Sequence, residues 1–309
     1  MGLFAQDLIQ LSPKWSLLSG VRLDYLDISS TDPLPRAGFE PVSDSKTKAI
    51  WSGSVSLNFN PTQDQTFYLT LNRAAAVEAS SSSGGFGLNN NLIADEVLDN
   101  SSDLIEGGAK FSFLEASLYT GVSTYYQKRN RVSPRGGLPD EIEIWGIELD
   151  LIYQPNTRLN AGIIGSYSEA NYIDGPVSGT PTTQAPFDPS TPNSTFPRPP
   201  LADYRLPGLP RTLLNSFLSY TFEQGLGGSV SLQWQSEQNL DLEGFVVIPS
   251  QFQLDLALFY KQEAFELRFD IRNATDEFNW RPTSTPFAGA DLVTRELPRY
   301  YQASVVLKF

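Results

Sequence analysis

Four carboxylates crowd the stretch "ADEVLDNSSD": Asp95, Glu96, Asp99 and Asp103. Hard oxygen ligands of this kind can hold Ca²⁺, but the spacing is not that of an EF-hand loop. A hydrated acidic loop explains the cluster more simply. A second stretch, "DEFNWRPTSTPF", offers Phe278, Trp280 and Arg281. Aromatic faces beside a guanidinium suit an anionic or chelated, partly aromatic ligand. The competing explanation is an interfacial aromatic girdle next to a solvated loop. Tyr172, Phe187, Phe196 and Tyr204 are further ligand candidates, in and beside a long Pro-rich segment. Gly85-Phe86-Gly87 has no helix pattern after it, so it lacks the context of a phosphate-binding turn.

Composition narrows the chemistry further. The chain has 309 residues, no His and no Cys. Without His the commonest general base and transition-metal ligand is missing, and no Ser-His-Asp or Cys-His site can be built from this chain. Without Cys there is no disulfide framework and no thiolate metal site. The expectation is a non-enzyme with no cofactor and no metal site of its own. A net charge of −13 argues against a nucleic-acid partner, which needs clustered Lys and Arg. No apolar run is long enough for a transmembrane helix. The opening "MGLFAQDLIQLSPKW" lacks the basic and apolar regions of a secretory signal.

The elements that must carry these residues are strands. Period-two alternation recurs along the chain. In "AFELRFDIRNATDEFNW", Phe265, Leu267, Phe269 and Ile271 point one way, and Glu266, Arg268, Asp270 and Arg272 the other. "WSGSVSLNF", "SVSLQWQS", "QFQLDLALFY" and the terminal "YQASVVLKF" alternate in the same manner. About thirteen such strands are predicted by this pattern. Many reach about ten residues, above the usual five or six and close to what a tilted membrane-crossing strand needs.

Connection lengths add a second pattern. Tight turns are expected near Ser12-Pro13-Lys14, Pro61 to Asp64, Glu115, Pro155-Asn156-Thr157, Glu223 to Gly227 and Gln262-Glu263. Long polar segments alternate with them, over 30–45, 78–102, 131–141, 174–210, 237–249 and 273–297. The Pro/Thr/Ser-rich stretch 174–210 could link two domains. Similar strands flank it on both sides, however, so it reads as one long surface loop. Alternating short and long connections put all tight turns at one end of a meander and all long loops at the other, as in transmembrane barrels. Aromatics gather near strand ends (Trp15, Trp51, Tyr125, Tyr126, Tyr220, Phe222, Tyr260, Tyr300, Phe309), where membrane interfaces favour them. The fold class expected is all-β: a partial, antiparallel transmembrane β-barrel with long extracellular loops and short periplasmic turns. The apolar face meets lipid and the charged face lines a wet lumen. A soluble β-sandwich also alternates and is the rival architecture.

Several segments resemble TonB-dependent outer-membrane receptors of the ferric-siderophore type. Phe4-Ala5-Gln6-Asp7 and Gly20-Val21-Arg22-Leu23-Asp24 match elements of that family's barrel. "ADEVLDNSSDLIEGGAK" resembles its Pro-Glu…Glu-x-Gly-x-Lys segment, with Asp95 in place of the Pro. "FDIRNATDEFNW" resembles its Asn-Leu-x-Asp signature, with Asn273 and Asp276 matching and Ala274 replacing Leu. Pro298-Arg299 and a final strand closing on Phe309 fit its C-terminus.

The resemblance implies that residues 1–309 supply the C-terminal portion of the barrel, about 13 of the family's 22 strands, without its signal peptide, TonB box or plug domain. It implies a Gram-negative outer-membrane location, a ferric siderophore or similar metal chelate as cargo, outer-membrane lipid as surroundings, and TonB energy coupling through the missing N-terminal region. Here the chain would form barrel wall and ligand-binding loops. A passive porin-like channel is the alternative function, and an outer-membrane hydrolase is disfavoured by the absence of His.

Overall fold

Alternation becomes one antiparallel sheet. The computed structural model describes residues 1–32, 42–77, 99–131, 140–174, 204–240, 244, 246–282 and 293–307. Its strands are β1 (Gly2–Ser12), β2 (Trp15–Asp32), β3 (Val42–Thr62), β4 (Gln65–Val77), β5 (Asp99–Phe113), β6 (Leu118–Arg131), β7 (Asp140–Tyr153), β8 (Leu159–Asp174), β9 (Thr212–Thr221), β10 (Leu226–Gln235), β11 (Gln238–Asn239), β12 (Val247–Ile248), β13 (Gln251–Lys261), β14 (Phe265–Arg272), β15 (Trp280–Pro282), β16 (Val293–Arg295) and β17 (Tyr300–Leu307). Thirteen of them form the main sheet, in the order β1 to β10, β13, β14, β17. The pairs β11–β12 and β15–β16 are separate two-stranded sheets set into the last two long connections. The sheet is open, with β1 and β17 at its edges.

The six tight turns fall where the sequence places them, and they alternate with the long connections. Three strands, β2, β3 and β5, run further into the long connections than the hydropathy pattern predicts, and β5 does so against the end of β4. β2 and β3 stay paired up to Asp32 and Val42, and β4 and β5 up to Val77 and Asp99. Backbone pairing continues above the apolar band, where side chains no longer alternate in hydropathy, so periodicity does not register it.

The register shows why the two faces differ. One cross-strand row reads Val55, Leu71, Ile105, Tyr126, Trp145 from β3 to β7. All five are exposed. The row on the opposite face reads Ser56, Thr70, Glu106, Tyr125, Gly146, Ser168 from β3 to β8. A soluble sandwich would bury the apolar face against a second large sheet. Here that face is open, as a lipid-facing wall must be.

Aromatic side chains band the short-turn end. Trp15, Phe59, Phe67, Phe111 and Phe113 follow one another with ring centroids 4.5, 6.3, 5.6 and 5.9 Å apart. Trp51, Tyr126 and Trp145 stand towards the other end of the same face, Trp145 being 5.6 Å from Tyr167. Two such belts are the expected anchors at the two membrane interfaces.

The polar face is held by packing of another kind. Tyr68 on β4 lies over Gly108 on β5, and Tyr125 on β6 over Gly146 on β7; a Cβ on either glycine would sit 2.6 or 2.7 Å from the ring or its hydroxyl. Glycine is required there because an aromatic ring occupies the space of a side chain, a device that also pins register. Tyr68 donates its hydroxyl to Glu106 Oε1 at 2.6 Å.

Candidate ligand site at the long-loop end

The site is built around the connection between β14 and β17. β14 stops because Asn273 takes a left-handed conformation, with φ of 50°. Its side-chain amide donates to Glu277 O at 2.9 Å and Leu297 O at 3.3 Å, and its oxygen accepts Glu277 N–H at 2.9 Å. Asp276, also left-handed at φ 60°, accepts the backbone N–H of Arg299 through Oδ1 at 2.9 Å. Asn and Asp tolerate this conformation better than other side chains, because their short polar groups bond locally. Both residues that carry the Asn-x-x-Asp resemblance are thus turn-building residues.

This turn delivers the β15–β16 hairpin to β13. Asn279 Nδ2 donates to Phe252 O at 2.8 Å, and Trp280 N–H donates to Gln251 Oε1 at 2.5 Å. Beneath the hairpin lies a cavity of about 610 Å³. Trp280 and Arg281 wall it on the hairpin side, with Glu296. Gln233, Gln235, Gln251 and Gln253 wall it on the sheet side, and Gln238 of β11 joins them. Gln233 pairs with Gln253 and Gln235 with Gln251, so the four amides share one patch of the polar face. Arg281 Nη2 lies 2.7 Å from Glu296 Oε1.

The other candidates fall elsewhere. Phe278 is exposed and stacks under Arg295, whose guanidinium carbon is 3.8 Å from the ring centroid. It does not wall the cavity. Tyr172 is buried beside Ile142 on the polar face, and Tyr204 packs against that pair with Ile144 and Leu206. The segment holding Tyr204 is tied to β8 by Tyr172 N–H to Tyr204 O and Leu206 N–H to Ala170 O, both 2.8 Å. The same segment runs on to Gly208 and Pro210, which reach the cavity wall. The five residues are therefore split between a cavity wall, an exposed ring stacked with Arg295 and a small apolar cluster.

Of the acidic cluster, Asp95 and Glu96 lie outside the described residues, as do Phe187, Phe196, Gly85 to Gly87 and Phe309. Asp103 stands on β5 and pairs with Arg73 across the strand at 2.8 Å. Among the described residues no group of three or more acidic side chains is placed to hold a metal ion.

Sequence reasoning missed the glutamines. Their signal was present, since Gln233, Gln235 and Gln253 occupy the polar positions of two alternating strands. Without the register nothing showed that these positions meet.

A family model described as TonB dependent receptor-like, beta-barrel, matches residues 1–274. The chain belongs to the TonB-dependent receptor family. Solved structures share the fold at low identity. The siderophore receptor PiuA from Acinetobacter baumannii superposes with a TM-score of 0.78 at 15% identity, over 98% of this chain and 42% of that one. The ferric citrate transporter FecA gives 0.74 at 13%, over 100% and 44%. The ferric yersiniabactin uptake receptor FyuA from Yersinia pestis gives 0.71 at 13%, over 98% and 44%. The chain spans less than half the length of each of these three proteins. No curated protein sequence matches it. Members of the family are receptors and transporters of the Gram-negative outer membrane. The all-β partial barrel expected from the sequence is the fold observed.

Proposed function

We propose that this chain is the C-terminal part of the barrel of an outer-membrane TonB-dependent uptake receptor, and that the cavity under the β15–β16 hairpin receives a ferric siderophore or similar metal chelate. The carrying observation is the cavity itself: it opens on the polar face at the long-loop end, and Trp280 and Arg281 stand on its wall. An aromatic face and polar donors converging on a cleft of this size suit a small ligand. Trp280 and Arg281 are assigned direct ligand contact, Phe278 a place at the rim, and Tyr172 and Tyr204 support of the loop that reaches the cavity. Energy from TonB and gating by a plug would come from parts of the receptor outside these residues. The passive porin reading gains no specific observation from the sheet or the family match.

The test has two stages. Membrane fractionation should recover the chain in the outer membrane, with heat-modifiable migration on gels. Titration of the detergent-purified chain with ferric chelates should then change its tryptophan emission saturably, and Trp280→Phe should remove most of that change. Recovery as a soluble monomer would overturn the membrane reading. An unchanged emission response in Trp280→Phe would overturn the assignment of the cavity.

A further inference from the structure

We infer that the cavity selects an uncharged chelate rich in amide or hydroxyl groups over a multiply anionic one; this rests on the siderophore-receptor reading above. Among the described lining residues, the charged ones are Arg281 and Glu296, and they neutralise each other at 2.7 Å. Recognition of a polyanion relies on clustered guanidinium or ammonium groups, and moving an anion out of water without such partners is unfavourable. Here the wall that faces the cation is made of neutral amides.

Amides present donors and acceptors in equal measure. The Gln251 side chain has a fixed orientation, because its oxygen must be the atom that accepts Trp280 N–H. Its Nε2 is left buried without a partner, and so is Oε1 of Gln238. One wanting group is a donor and the other an acceptor, and both belong to side chains of the cavity wall. A small rotation of the Gln238 amide, and a shift of the Gln251 side chain that keeps its bond to Trp280, would let a ligand pair both. A cargo that offers both N–H or O–H and carbonyl groups satisfies the two together. The metal-binding oxygens of any ferric chelate only accept, so the donors must come from amide or hydroxyl groups on the rest of the chelator, and the trianion adds a charge that this wall does not pair.

Two probes separate the possibilities: an uncharged ferric tris-hydroxamate and a trianionic ferric tris-catecholate, each titrated into the full chain in non-ionic detergent by tryptophan fluorescence. The uncharged probe should bind about tenfold or more tightly than the trianion, and its affinity should hold as salt is raised, since screening acts on charge pairing. Glu296→Gln, which releases Arg281, should narrow the gap by about tenfold through gain of the trianion, one charge-assisted contact being restored. Tighter binding of the trianion by the unaltered chain would overturn the inference and leave the receptor reading standing. Binding of neither probe would overturn both.

Discussion

Arg272 on β14 donates from Nη1 to Asp255 Oδ2 on β13 at 2.9 Å. The other oxygen of Asp255 accepts the backbone N–H of Asn273 at 2.9 Å, and Gln253 Nε2 also reaches the carboxylate. One buried carboxylate therefore ties the end of β14 to β13 at the point where the chain leaves the sheet. Asp255→Ala should destabilise the fold by about 2–3 kcal/mol, the usual range for hydrogen bonds to a charged group. Asp255→Asn, which keeps an acceptor but loses the charge, should cost about half as much. Urea unfolding in detergent micelles, followed by tryptophan emission, checks both values; equal stability of all three proteins would remove Asp255 from this role.

The alternating charges on β14 make sense in the same geometry. Arg268 donates to Asp270 on its own strand at 2.9 and 3.0 Å, and Arg272 turns to β13. The sequence reveals that these groups share a face opposite Phe265, Leu267, Phe269 and Ile271, because period two is a backbone property. It does not reveal which carboxylate meets which arginine, because that depends on the register between strands. The same limit hid the paired glutamines of β10 and β13. It also explains why three candidates chosen alike by residue type are placed differently, Trp280 and Arg281 on the cavity wall and Tyr172 beside Ile142. Strand count, turn positions and the two faces were legible because each is local. The cavity was not, because four separate segments build it.

The face assignment has a direct test on neighbouring residues of β10. Val230 is exposed on the apolar face, whereas Ser229 lies between Ser219 and Ala257 on the polar one. Val230→Arg should destabilise the protein in lipid by about 2–4 kcal/mol, the range for Arg on a barrel's lipid face near the bilayer midplane. Ser229→Arg should change stability by less than about 1 kcal/mol, since a wet lumen solvates the new charge. Folding titrations into phospholipid vesicles would compare them, and the reverse ranking would turn the sheet inside out.

The Tyr68–Gly108 pair predicts a coupling that neither residue shows alone. An ideal Cβ on Gly108 would lie 2.6 Å from the Tyr68 ring. Gly108→Ala should therefore cost about 1–3 kcal/mol by overpacking. With Tyr68→Ala in the background the same substitution should be close to neutral, leaving an interaction energy of about 1 kcal/mol or more in a double-mutant cycle. Additive effects would show that the ring moves aside freely and does not pin the register.

Asn273 links stability of the fold to the proposed ligand site, and its two properties can be separated. The left-handed backbone needs a residue that tolerates φ of 50°, and the buried amide bonds Glu277 and Leu297. Gly keeps the first property and loses the second, whereas Ala loses both. Asn273→Ala should destabilise by about 2–3 kcal/mol, combining the unmade hydrogen bonds with backbone strain. Asn273→Gly should recover about 1 kcal/mol of that, the part due to strain. Because the turn places Asn279 and Trp280 against Phe252 and Gln251, both variants should also open the 273–299 connection to protease and weaken chelate binding in the same order. Rapid cleavage with undiminished binding would mean that the hairpin reaches its cavity without this turn, and that the cavity wall on β10 and β13 is sufficient for recognition.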